Sequence, residues 1–298
     1  MQSFEYIAPR TVKEAVAALQ AHRGALLLAG GTDALIGMKL RVQTPGVVVD
    51  IKRVRGLDEL RFDEKSGLTI GAAVTMRQIE LLPLVGERYA ALAQAAAVVG
   101  SVQIRNLATL AGNVCNAAPS ADTAPGLIVL GAKVRIAGPQ GRRSMAVEKF
   151  MVGPGKTALK AGELVTGIQV PVPGRRTGSA YVRHTPRGAM DIAVVGVGAA
   201  VTLTPRTGAC EDLKIVLGAV APTPLRAKRA ERLLKGEKFS EELIEAVAAA
   251  AAEEARPISD VRASAEFRRH MVRVLTKRMV AAARQDAQRQ ERAARRAA

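Results

Sequence analysis

Tryptophan is missing from this 298-residue sequence, which has only three tyrosines and five phenylalanines. Its core must therefore be aliphatic, and there is little material for stacking nucleobases on aromatic platforms. Two cysteines, Cys115 and Cys210, cannot build a disulfide framework or hold an iron–sulfur cluster alone. Three scattered histidines (His22, His184 and His270) lack the spacing of zinc ligands. No uninterrupted apolar run reaches the length of a membrane span. The opening residues Met1-Gln2-Ser3-Phe4-Glu5-Tyr6 lack the charged-then-apolar layout of a signal peptide. These absences describe a soluble, cytoplasmic, metal-free chain.

Hydrophobic residues make up 48% of the sequence, enough to bury a sizeable core, and the length is comfortable for two domains. The net charge is +17, and residues 260–298 carry 11 Lys or Arg against four acids. Much of the basicity is thus concentrated near the C-terminus. A nucleic-acid-binding surface is one reading of it. Without interleaved aromatics, a solvated helix face or attraction to acidic partner proteins is the better one.

Thr11 and Glu14 have capping-box spacing, and Val12, Ala15, Val16 and Leu19 follow as one apolar stripe, which predicts a helix. Strands are expected at 25–29, 47–51 and 68–74, and Thr75 and Gln78 again have capping-box spacing. An Ala-rich helix is expected over 87–99. Residues 100–126 show neither helical nor strand period and read as a long loop, a feature that is usually functional. Strands resume at 133–137 and 164–172, and Pro171, Pro173 and Gly174 mark a domain boundary. Strand-like runs at 180–184, 192–203 and 213–220 precede helices at 240–254 and 266–284. The last dozen residues lack an apolar stripe and are expected to fray.

Two glycine-containing stretches carry the chemistry. In Leu28-Ala29-Gly30-Gly31-Thr32-Asp33, a strand enters a turn whose glycines allow peptide N–H groups to approach a diphosphate, with the Thr32 hydroxyl as a further donor. Alone, it is equally an ordinary strand-to-helix turn. In Thr109-Leu110-Ala111-Gly112-Asn113, Thr109 offers a hydroxyl, Gly112 close approach and Asn113 an amide. Asp122 follows, a carboxylate suited to ribose hydroxyls, although the segment is equally a self-satisfying polar loop. Both stretches in one chain favour an extended, phosphate-containing cofactor. Gly155-Lys156-Thr157 lacks the leading glycine of a P-loop, because Phe150 stands there. Gly196-Val197-Gly198 sits inside a strand run rather than before a helix, and Cys115 reads as a packing residue.

With these residues in view, the sequence resembles the medium, FAD-binding subunit of the molybdenum hydroxylases, the group that includes xanthine, carbon monoxide and nicotinate dehydrogenases. Carrying the resemblance are Ala29-Gly30-Gly31-Thr32-Asp33, Thr69-Ile70-Gly71-Ala72, Gln103-Ile104-Arg105-Asn106, the stretch from Thr109 through Asn113, and Ala121-Asp122-Thr123. Met190-Asp191-Ile192-Ala193 and Leu217-Gly218-Ala219-Val220-Ala221-Pro222-Thr223-Pro224 extend it towards the C-terminus. The implied fold is α+β. It consists of a PCMH-type FAD-binding domain at 1–173, with two α/β subdomains at about 1–56 and 57–173. A C-terminal domain at 174–298 follows, with an antiparallel sheet, helices and a basic tail.

By resemblance, Ala29, Gly30, Gly31, Thr32 and Asp33, with Thr109, Ala111, Gly112 and Asn113, hold the diphosphate, and Ala34 lies at the edge of the first loop. Asp122 meets the FAD, and Ile192 packs on its isoalloxazine ring. The implied function is electron transfer to FAD from the [2Fe–2S] clusters of a small subunit, then to an external acceptor. A large subunit would carry the molybdenum cofactor, in a dimer of heterotrimers, and no catalytic residue or metal ligand is expected in this chain. Ala111 stands where many relatives have Gly, and Arg183 where Lys is common. The cysteine-rich insertion of the 4-hydroxybenzoyl-CoA reductase medium subunit is absent. A stand-alone flavoprotein oxidase is the rival flavin reading, but it needs a general base in a substrate pocket, and no His or Tyr cluster supplies one. A basic nucleic-acid-binding protein is the non-flavin rival.

Overall fold

The computed structural model describes residues 1–205 and 207–296. Its first unit is a three-stranded parallel sheet with Val47–Asp50 in the centre, between Glu5–Ile7 and Leu26–Leu28. The central position explains the uninterrupted apolar run in that strand, because Val48 and Val49 are both buried. Helix Val12–Ala21 begins at the expected cap, with Thr11 Oγ1 accepting from Glu14 N. The reciprocal arm differs from a full box: Glu14 accepts from Arg10 N, one residue before the cap.

The middle unit is a five-stranded antiparallel sheet, ordered Leu60–Asp63, Gly67–Gly71, Leu164–Val170, Lys133–Gly138 and Gly141–Ala146. Alternation sorts its faces: Leu68, Ile70, Val134, Ile136 and Ile168 are buried, while Lys133 and Arg135 point to the opposite side and are exposed. The expected Thr75–Gln78 capping box is complete and starts helix Met76–Leu81. The Ala-rich helix is broken at Tyr89 into Pro83–Arg88 and Ala90–Ala97, because buried Tyr89 leaves the helical conformation at φ −131°.

Residues 100–126 correct the expectation of a long loop. They form helices Val102–Arg105 and Leu110–Asn116 and the start of Thr123–Val129. Each is too short to display an amphipathic period, which hid them, yet Ser101 and Thr109 cap the first two through side-chain acceptors. The last of the three is buried along its whole length.

The C-terminal unit is a four-stranded antiparallel sheet ordered Thr177–His184, Val195–Leu203, Cys210–Gly218 and Leu225–Arg226. Helices cover both of its faces. Helix Thr123–Val129 lays Pro125 over Gly198 and Gly218, where added Cβ atoms would approach it within 3.1 and 3.0 Å. On the other face runs helix Ala265–Arg296, and a Cβ on Gly178 would overlap the helix backbone at Ala287. Gly196 and Gly198, excluded from a dinucleotide fingerprint by their sequence context, lie in a strand.

The long helix also corrects the expectation of fraying. It continues regularly to Arg296, with Ala287 fully buried and Asp286 accepting from Ser179 N at 2.9 Å. A sheet whose Gly178 permits close approach provides the burial that the helix sequence itself does not advertise. The last two residues of the expected frayed tail, 297 and 298, lie outside the described residues. Among the described residues no helix is long and apolar enough to cross a membrane.

Candidate functional site

Strand Leu26–Leu28 ends at the carboxyl edge of the parallel sheet and delivers the first glycine loop. Gly31 has φ +76°, a left-handed conformation that glycine adopts without penalty. Gly30 carries a packing requirement beyond the one its sequence suggests. A Cβ there would overlap the backbone carbonyl of Leu107, so this glycine lets the first loop abut the segment that leads into the second. Lys52 secures the loop from behind, with Nζ 3.3 Å from the Ala29 carbonyl oxygen and 2.8 Å from Asp50 Oδ2. Burial opposes ionisation of Asp50, but bonds from Lys52 and Tyr6 prevail and hold its pKa below the ordinary carboxylate value. The backbone N–H groups of Gly30, Gly31, Thr32 and Asp33 donate to no protein acceptor among the described residues.

Thr109 caps the second loop, its Oγ1 accepting from Gly112 N at 3.0 Å, so its hydroxyl proton remains available to a ligand. A Cβ on Gly112 would meet only Thr109 Oγ1, at 2.9 Å. Asn113 uses its side-chain oxygen to accept from Thr123 at 2.6 Å, which leaves its amide NH₂ as the free group.

Asp122 is buried, and both of its oxygens already have partners from the C-terminal sheet. Tyr181 Oη donates to Oδ1 at 2.8 Å and Arg183 Nη1 to Oδ2 at 2.6 Å. Burial pushes the Asp122 pKa up to about 6, against the opposing pull of Arg183 and the Tyr181 hydroxyl. The same burial, reinforced by the carboxylate, pushes Tyr181 well above its ordinary value. Asp122 therefore ties two domains together and is not simply an acceptor waiting in a polar loop. The alternation Tyr181-Val182-Arg183 places both donors on one strand face and was the available signal for this partnership. Lys52, by contrast, has no sequence signature linking it to Ala29.

Both glycine loops, Asp122 and Arg183 meet in one cavity of about 1040 Å³. Its lining includes every residue singled out from the sequence: Ala29, Gly30, Gly31, Thr32, Asp33 and Ala34; Thr109, Ala111, Gly112 and Asn113; Asp122; and Ile192. Ile192 is half exposed and lies before strand Val195–Leu203, on a connection that folds Asp191, Ile192 and Ala193 against the cavity. Three separate parts of the chain thus contribute to one concave surface. Cys115 also lines it, but burial pushes the thiol up to about 12, which keeps it protonated and unreactive.

The donor set suits an elongated, diphosphate-containing group. The lining presents consecutive unpaired N–H groups without intervening bulk, and it also presents Ile192 as an apolar surface. No hydrogen-bonded histidine–carboxylate pair or carboxylate dyad in the lining is arranged for acid–base work: the Asp122 oxygens are engaged, Cys115 is a thiol, and the side chains of His22 and Asp33, which also line it, have no hydrogen-bond partner among the described residues.

Comparison with known proteins agrees with this geometry. The model of the FAD binding domain in molybdopterin dehydrogenase matches residues 2–173, and that of the CO dehydrogenase flavoprotein C-terminal domain matches residues 180–283. The xanthine dehydrogenase FAD-binding subunit of Escherichia coli O157:H7 is 34% identical, with 92% of this chain and 93% of that protein aligned. The carbon monoxide dehydrogenase medium chain of Hydrogenophaga pseudoflava is 35% identical over 94% of this chain and 96% of its own. The solved structure of carbon monoxide dehydrogenase from that organism, lacking the Mo-pyranopterin moiety of its cofactor, superposes with a TM-score of 0.90. It is 35% identical and covers 96% of this chain and 98% of its counterpart. The chain belongs to the family of FAD-binding medium subunits of the molybdenum hydroxylases.

Proposed function

We propose that this chain is the electron-transferring FAD subunit of a molybdenum hydroxylase complex. A small [2Fe–2S] subunit and a large molybdenum-cofactor subunit are its partners, in a cytoplasmic dimer of heterotrimers. The observation that carries this reading is the convergence of both glycine loops, Asp122 and Ile192 on one cavity without an acid–base constellation. FAD, when bound there, supplies the redox chemistry, accepting electrons delivered by the iron–sulfur clusters and passing them to an external acceptor.

The protein's part is position and electrostatics. Residues 1–173 act as the FAD-binding domain, in subdomains 1–56 and 57–173, and the C-terminal domain, 174–298, contributes Arg183 and the connection at Asp191, Ile192 and Ala193 to the cavity wall. The free N–H groups from Gly30 to Asp33, with the Thr109 hydroxyl and the Asn113 amide, hold the diphosphate. Asp122, fixed by Tyr181 and Arg183, orients the bound cofactor from its own side of the cavity. Ile192 packs on the ring and excludes water from one face, a role that an aliphatic side chain fills in a chain without tryptophan. His22 and Asp33 line the cavity, but no hydrogen-bonded partner among the described residues orients either as a general base, which favours this reading over a stand-alone oxidase.

Purification of the native protein tests the proposal. It is expected to be isolated with two other chains, one holding molybdenum and one iron and sulfur, and with non-covalent FAD released by acid. Substrate turnover by the single chain would overturn the subunit reading, and flavin that stays with acid-precipitated protein would overturn non-covalent binding.

A further inference from the structure

The five-stranded sheet separates two cavities that share no lining residue. Ala72, Leu164 and Val165 border the large one, while Gly71, Thr166 and Gly167, their immediate neighbours in the same strands, border a cleft of about 520 Å³ on the outer face. Gly71 and Gly167 are register partners, and the backbone of Leu57 and Glu59 packs over Gly71, so main chain makes up part of the floor of this cleft. Val12 and Leu57 supply apolar surface at its edge.

Cations surround that floor. Arg55, Lys133, Arg135 and Arg142 line the cleft, all are exposed, and none has an ion-pair partner among the described residues. Glu59, an acid in the lining, is already paired with Arg61 at 2.9 Å. Lys133 and Arg135 project from the same face of one strand, and Arg142 lies in the strand beside it. Like charges gathered on one sheet face repel, and no fold requirement explains the gathering, because the opposite face supplies the core. Arg143, the fifth cation of the lining, forks onto Glu163 at 2.8 and 2.7 Å, and Glu163 itself lines the large cavity. An ion pair therefore links the two cavities.

We propose that this cleft binds a polyphosphorylated small molecule of nucleotide size. Guanidinium forks match phosphate oxygens, and several uncompensated cations call for several negative charges on one ligand. The volume lies within the range of small-molecule sites and exceeds the needs of a single phosphate ion. The apolar edge at Val12 and Leu57 accommodates the uncharged part of such a ligand, whereas an acidic protein surface would gain nothing from the concavity.

Titration of the purified full-length, flavin-saturated protein with ATP, followed by calorimetry at low and moderate salt, tests this. One saturable site per chain is expected, with tripolyphosphate competing and adenosine competing poorly. Arg135→Gln/Arg142→Gln should weaken ATP by roughly a hundredfold, about tenfold for each charged contact removed. The visible flavin spectrum should remain that of the wild type. A second pair, Arg55→Gln/Lys133→Gln, with Arg55 outside the sheet, should weaken binding comparably and guards against misfolding of the first. A control pair of exposed cations elsewhere, Arg232→Gln/Lys238→Gln, should leave ATP affinity unchanged. Absence of a saturable site, or equal weakening by the control pair, overturns the proposal, since the latter means diffuse attraction to a protein of net charge +17.

Discussion

The first loop at the large cavity, Ala29-Gly30-Gly31-Thr32-Asp33, is held chiefly by main-chain geometry, with Gly30 against the Leu107 carbonyl and Gly31 at positive φ, and Lys52 Nζ on the Ala29 carbonyl is its one side-chain tie among the described residues. The second loop and its surroundings are held by side chains: Thr109 on Gly112 N, Thr123 on Asn113, and Tyr181 with Arg183 on Asp122. Similar sequence texture therefore conceals two kinds of construction. A loop fixed by its backbone fails when a side chain is added, whereas one fixed by side chains fails when a polar atom is removed.

Gly30→Val presses hardest on this distinction. The new side chain meets immobile backbone at Leu107, so the two loops must separate, at a cost of roughly 3 kcal/mol or more. FAD content should fall to near zero, and Gly30→Ala should behave the same way, because the Cβ alone already overlaps. In an assembled complex, substrate should still bleach the iron–sulfur absorbance in stopped flow while steady-state acceptor reduction fails. A Gly30→Val complex with full FAD and normal turnover would falsify the backbone account of this loop.

The next effect is at the domain latch. Arg183→Ala removes one partner of a buried ion pair and should cost about 3 kcal/mol, measured by denaturant unfolding. Its pH dependence follows from Asp122, whose folded pKa is raised to about 6 above the ordinary 3.8. Between those values the folded state binds the extra proton, so the Asp122 contribution to stability is present below the unfolded pKa and disappears as pH rises through about 6. Asp122→Asn removes this dependence. The stability difference between variant and wild type should therefore move in favour of the variant from pH 4 to pH 7. Movement in the opposite direction would show that Arg183 outweighs burial.

Gly112→Val sharpens the comparison with less cost to the fold. Its Cβ meets only the Thr109 hydroxyl, so the apo protein should unfold within about 1 kcal/mol of wild type, a loss of the size expected for a disturbed helix cap. Flavin should nevertheless be lost, because the valine would occupy the approach to the diphosphate. Normal flavin content would remove Gly112 from the proposed site and leave the Gly30 argument intact.

What was legible in the sequence tracks the range of the interaction responsible. Local signals were read correctly: Thr75 with Gln78 specifies its box, the run through Val48 and Val49 specifies a central strand, and the breaks near Pro171 and Gly174 precede a new sheet. The glycine loops were legible as candidates, and the structure places both in one cavity, but the packing of Gly30 was not legible, since Leu107 is distant in sequence. Asp122 was visible as a carboxylate, but its partners belong to a strand some sixty positions later, and only the alternation of Tyr181 and Arg183 hinted at them. The helices within 100–126 escaped because length, which periodicity needs, is what they lack. The end of the long helix escaped because its burial comes from a glycine on another element.

The smallest effect concerns that helix end. Truncation after Gln288 removes the Arg289 and Gln290 bonds to the Glu87 carbonyl, and the Arg176–Glu291 pair at 3.2 Å. Asp286 keeps its bond from Ser179 N, and Ala287 keeps its place against the sheet, so the buried part of the contact survives. The lost contacts are partly or wholly exposed, and such pairs contribute at most about 1 kcal/mol each, with the median lower. A drop of roughly 1 kcal/mol in unfolding free energy is therefore expected. Flavin content should not change, because among the described residues none beyond Ala193 lines the large cavity. This region resembles the first loop, which is secured by backbone packing, more than the second, since what anchors the helix is its approach at Gly178. Loss of FAD on truncation would mean instead that the terminal side chains hold the C-terminal sheet against the cavity, and the helix would then belong with the side-chain-fixed half of the molecule.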